Sequence, residues 1–157
     1  MSRRWLVLGA AVTLAAALGV GLWLGLRGGD DAEPTRQQYL ARVSTVCRSY
    51  ARRLERVAAP SDPAAYGNVI SSVEQVVPLL RAQEAAMRTV RAPSALGPRL
   101  DRLFALNRRS IAELEAALAA AQRRRAGGVA TGLLRFSTLR DQVHGLAVAI
   151  GIECNPN

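Results

Sequence analysis

The chain reads as an all-α protein: an N-terminal transmembrane helix followed by an antiparallel up-down-up-down four-helix bundle with one disulfide. Three observations predict this. Trp5 to Leu26 is an unbroken run of 22 uncharged, mostly apolar residues. Beyond it, apolar residues recur at steps of three and four through four successive stretches, the period of an amphipathic helix. Of the two cysteines, Cys47 lies in the first of those stretches and Cys154 just past the last.

The apolar run comes first. At about 1.5 Å per residue it is ~33 Å long as a helix, enough for the ~30 Å hydrocarbon layer of a bilayer. Arg3 and Arg4 precede it, while Arg27 beside Asp30 and Asp31 follows it. The positive-inside rule therefore keeps the N-terminus in the cytoplasm and exports the rest. Trp5 and Trp23 fall near the two ends, at the headgroup level that indoles prefer. Residues 1–27 are thus a cytoplasmic stub and signal anchor, 28–34 a linker, and 35–157 an extracytoplasmic bundle. The competing reading is a cleaved signal peptide with Ala15-Ala16-Ala17 at its cleavage site, giving a secreted protein; the nine further uncharged residues suit an anchor better. Ala17, Gly21 and Gly25 share one helix face, and small residues at this spacing let two membrane helices pack as a homodimer.

The first bundle helix spans about 35–59. Thr35 and Gln38 make a capping box. Tyr39, Val43, Val46, Tyr50, Leu54 and Val57 form its stripe, with Cys47 beside it. Asp62 then reads as the N-cap of a helix over 63–91, with Pro63 at its first position. Its stripe is Tyr66, Ile70, Val73, Val77, Leu80, Met87 and Val90, and Pro78 predicts a kink near 74–78. The third helix, about 96–126, has the clearest repeat: Leu100, Phe104, Asn107, Ile111, Leu114, Leu118 and Ala121. Alternating steps of four and three are those of a packed seam, and Asn107 is its polar member, expected to fix register at some cost in stability. On that reading Asn107→Leu stabilises the bundle or changes its oligomeric state; the sharper reading makes Asn107 a ligand contact. Arg123 to Arg125 occupy the last turn and Gly127-Gly128 ends the helix. The fourth helix, 129–150, carries Val129, Leu133, Phe136, Leu139, Val143, Leu146 and Ile150, with Gly151 as its C-cap. In this topology the tail must fold back along the bundle to bring Cys154 within roughly 7 Å of Cys47, Cα to Cα.

Charge narrows the partners. All 21 basic residues are arginine, and the net charge is +9. From Gly28 onward 18 arginines face 12 acids, a formal +6. This favours anionic lipid headgroups or acidic envelope polymers, whereas export removes nucleic acid from consideration. Two cysteines in an oxidising compartment read as one disulfide, Cys47–Cys154. Arg48, Arg52 and Arg56 follow at i, i+4 spacing with Arg53 beside them, and Glu55 alone cannot neutralise them. That face is the best candidate contact surface, for an envelope protein or an anionic polymer.

No catalytic constellation, metal-ligand cluster or cofactor motif can be assembled. His144 is the single histidine and falls on the solvent side of the fourth stripe. Glu113 and Glu115 are two apart and do not face each other, and Glu74 and Glu84 read as residues of a polar face.

The order of features resembles a set of alanine- and arginine-rich envelope proteins of high-GC Gram-positive bacteria, a set without assigned function. An export segment is followed by a helix like Tyr39-Leu-Ala-Arg-Val-Ser-Thr-Val-Cys47, and a late cysteine follows a glycine in Gly151-Ile-Glu-Cys154. The resemblance implies fold and compartment and carries no activity or site residues. The expected function is a non-enzymatic interaction or scaffold module of the cell envelope. The alternative is a bundle binding a small molecule or lipid, which would need a cavity of ~300 Å³ or more.

Overall fold

Four helices and one 3-10 turn make up the computed structural model, which describes residues 32–57 and 65–154. They are α1 (Arg36–Leu54), α2 (Tyr66–Arg88), the turn Ser94–Leu96, α3 (Gly97–Gln122) and α4 (Ala126–Ile150). The bundle belongs to the unit Pro34–Asn157. The apolar run Trp5–Leu26, the Ala17–Gly21–Gly25 face and the Asp62–Pro63 dipeptide lie outside the described residues. No helix among the described residues is long and apolar enough to cross a membrane.

Consecutive helices pack against each other with falling residue numbers. Arg81 reaches Glu115 while Arg88 lies over Phe104, which sets α2 antiparallel to α3. Glu113 reaches Arg135 while Asn107 bonds Arg140, which sets α3 antiparallel to α4. α1 closes the bundle, with Arg36 Nη2 donating to the Ile150 carbonyl at 2.8 Å.

α1 starts where the sequence says. Thr35 Oγ1 accepts from the Gln38 N–H at 3.2 Å, and Gln38 Oε1 accepts from the Thr35 N–H at 3.0 Å. The buried seam, however, runs through Tyr39, Val43 and Cys47, while Val46 and Tyr50 are half-buried. The cross-linked sulfur must face the tail, so it turns Cys47 inward at steps of four. α2 begins at Tyr66, not residue 63, and its N-cap is Ala65 without a side-chain bond. It then runs unbroken through the exposed Pro78. The lost bond at proline does not split the helix, because Val69, Val73, Val77, Leu80 and Met87 bury one face on both sides of it.

The largest departure from the sequence reading is the α3–α4 junction. α3 ends at Gln122, so Arg123–Arg125 form the turn, and Gly127 and Gly128 belong to the first turn of α4. The Arg124 N–H bonds the Ala121 carbonyl and the Arg125 N–H the Ala120 carbonyl, both at 2.9 Å. This is a Schellman ending, and its left-handed position is Arg124 at φ +54°. The glycines serve packing instead. A Cβ on Gly128 would come within 2.8 Å of the Ala120 Cβ, and one on Gly132 within 2.8 Å of the Ala117 Cβ and 3.0 Å of its backbone. Glycine and alanine at these positions let α3 and α4 approach closely.

The core has two clusters. One joins Tyr39, Cys47, Met87, Leu100, Phe104, Val143 and Ile150 near the chain's late residues. The other joins Val69, Val73, Val77, Leu80, Ile111, Leu114 and Val129 towards the opposite end. Each fully buried branched or aromatic side chain contributes about 1.5–3 kcal/mol from water exclusion.

Candidate functional site

The tail after α4 is built to fold back. Gly151 adopts φ +98°, and the N–H groups of Gly151 and Ile152 bond the Val148 and Ala147 carbonyls. Ile152 is thereby buried, and the Glu153 N–H donates to Ser44 Oγ at 3.0 Å. This brings Cys154 to Cys47, with 4.9 Å between Cα atoms and a disulfide joining them. A cross-link of this kind belongs to proteins of oxidising compartments.

Beside the disulfide lies a polar cluster centred on Glu84, which sequence reasoning placed on a solvated face. Its carboxylate is 9 % exposed. Oε1 accepts from Arg88 Nε at 2.9 Å and from Arg108 Nη1 at 3.1 Å, and Oε2 accepts from Asn107 Nδ2 at 2.8 Å. Asn107 Oδ1 in turn accepts from Arg140 Nη1 at 3.0 Å. The seam asparagine therefore links α2, α3 and α4, and Arg88 also stacks over Phe104 at 4.2 Å. Removing the amide would strand a buried carboxylate oxygen and a guanidinium. The expected stabilisation by Asn107→Leu is accordingly reversed in sign. Burial pushes the Arg140 guanidinium below its ordinary pKa and the Tyr39 phenol above its own.

Glu84 and Arg140 were legible in principle. Glu84 continues the Val73, Val77, Leu80 series to Met87 at steps of four and three, and Arg140 sits between Phe136 and Val143 in the same rhythm. A charged residue at a stripe position was the signal.

The cluster encloses little space. A cavity of about 40 Å³ lies among Cys47, Gln83, Phe104, Asn107, Arg140 and Cys154. That volume holds a water molecule, not an organic ligand. Gln83 Nε2 points across it to Cys47 Sγ at 3.2 Å.

The arginine face of α1 divides. Arg48 approaches Glu153 at 4.0 Å, beside the tail. Arg52, Arg53 and Arg56 are exposed at the far end of α1, with Arg53 over the Tyr50 ring at 4.8 Å. His144 is exposed, and Glu115 and Glu113 pair with Arg81 and Arg135. No group of acids, histidines or cysteines among the described residues could hold a metal ion. Comparison with protein-family models, curated proteins and solved structures gave no match.

Proposed function

We propose that this protein is a non-enzymatic interaction or scaffold module of the cell envelope, anchored in the cytoplasmic membrane by Trp5–Leu26, with its bundle outside. One observation carries the reading: the interior is saturated. Every buried side-chain nitrogen and oxygen among the described residues has a hydrogen-bond partner, and the cavity beside Asn107 is about 40 Å³. With no unsatisfied group inside to bind or activate a substrate, recognition falls to the charged surface. The disulfide supports an exported location, and the apolar run supports the anchor.

Two measurements on cells producing the full chain test this. After an alkaline carbonate wash, the chain should stay with the membrane and its bundle should be cleaved by protease added outside. A chain released by the wash and shortened at its N-terminus would instead be a secreted protein. Photocrosslinkers at positions 52 and 56 should then give one reproducible product with an envelope component. Adducts with lipid or with itself alone would remove the interaction reading.

A second reading has its own observation. Between α2 and α3 an open groove of about 370 Å³ has an apolar floor of Ala85, Ile111 and Ala112 beneath Arg81, Arg88 and Arg108, which pair there with Glu115 and Glu84. Such a groove suits an apolar chain with a polar head, and native mass spectrometry of the purified protein would show a retained lipid.

A further inference from the structure

The fold merges two arginine clusters that lie about seventy residues apart in the sequence. Tyr66, the first residue of α2, donates its hydroxyl to the Arg124 carbonyl at 3.1 Å. The end of α1, the start of α2 and the α3–α4 turn therefore meet at one end of the bundle, where Leu54 and Tyr66 pack against the core cluster of Ala121 and Val129. Arg52 and Arg53 arrive there on the last turn of α1 and Arg56 just past it, and Arg123, Arg124 and Arg125 on the α3–α4 turn. All six are exposed. None makes an ion pair among the described residues. Among the described residues the acid next to them in sequence is Glu55.

A second observation marks the same place. Arg124 holds the left-handed conformation that a Schellman ending gives by preference to glycine. For a residue with a Cβ this conformation is strained. The matching position after α4 is Gly151, so the fold uses the low-cost residue at one ending and a strained cation at the other. Strain kept at one exposed position points to a use for the side chain.

We propose that this end of the bundle binds a linear polyanion with repeated phosphate groups. Six guanidiniums, each with forked N–H donors, can pair with phosphate oxygens two at a time, and repeated phosphates supply the charge to match them. A polymer supplies several phosphates on one flexible chain, which suits six guanidiniums brought together from two separate stretches of the fold. The proposal deepens the interaction reading above and names the partner's chemistry.

The test is titration of the full chain, purified in neutral detergent, with long-chain inorganic polyphosphate and, separately, with vesicles of anionic and of neutral phospholipid. The triple variants R52S/R53S/R56S and R123S/R124S/R125S should each weaken polyphosphate binding roughly tenfold, allowing for screening. R99S/R102S/R109S, which removes equal charge from the exposed face of α3, should leave it unchanged within error. Arg124→Gly should raise the Tm yet lower affinity, a split that a structural role alone cannot produce. Equal weakening by the α3 triple would reduce the effect to net charge and overturn the site. So would absence of binding, or binding to anionic vesicles alone. Carbonate extraction of the same chain reports on the anchor separately, so failure of the membrane reading stays distinct from failure of this one.

Discussion

The two ends of the bundle solve the same problem with different chemistry. At the tail end, the helices are held by large side chains such as Tyr39, Phe104 and Ile150, by the Glu84–Asn107–Arg140 cluster, and by the Cys47–Cys154 bond. At the far end they are held by valines and by the close approach of Ala117 and Ala120 to Gly132 and Gly128, without a cross-link. Each end has a Schellman turn, with glycine at the tail and arginine at the far end. Stabilising devices are concentrated where the chain closes on itself, while the far end keeps a strained, exposed cation. One end is thus clamped by a cross-link and a polar cluster, and the other is not.

Five changes would break or sharpen that contrast. The largest effect is expected from Glu84→Ala, which strands Asn107 and removes the counter-charge of Arg88 and Arg108. The Asn107 amide loses its buried acceptor while Arg88 and Arg108, 42 % and 59 % exposed, return to water, so the cost is about 2–4 kcal/mol, measurable by urea denaturation. Asn107→Leu should also destabilise, by about 1–3 kcal/mol, because it leaves a charged group on either side without its bond. If either variant is neutral, the cluster is not what holds the tail end.

Reduction of Cys47–Cys154 should cost about 2–4 kcal/mol, since the bond closes a long loop in the unfolded chain. Hydrogen exchange would show where. Amides around Ser44 and Ile152 should lose protection first; uniform loss would mean that the two ends unfold as one. At the far end, Gly132→Ala should destabilise by about 1–3 kcal/mol through overpacking against the Ala117 backbone. Arg124→Gly is the smallest effect and has the opposite sign, a gain of up to ~1 kcal/mol as the left-handed strain is relieved. Thermal melts of this pair would show whether tight packing and strain coexist at one end.

Much of the fold was legible in the sequence. The Thr35–Gln38 capping box and the α3 seam from Leu100 to Ala121 follow from spacing, and the Cys47–Cys154 bond from cysteine parity and compartment. Glu84 was misread because its carboxylate can enter the core only with Asn107, Arg88 and Arg108 supplied around it, and two of those come from another helix. The end of α3 was misread because glycine serves both as a helix stop and as a packing surface. Local sequence does not say which, until Ala117 and Ala120 are seen opposite Gly132 and Gly128.

Local chemistry by itself thus determined the helices, through hydrophobic period and capping, and the pairing of the two cysteines, through parity and compartment. Those signals act within a few turns of chain or require no geometry at all. Only the tertiary structure decided which charges are buried, which glycines are contacts, and that Arg52–Arg56 and Arg123–Arg125 share one end. These depend on what lies across the bundle, and the free energy of a charge or a missing Cβ is set by its neighbours in space rather than in sequence.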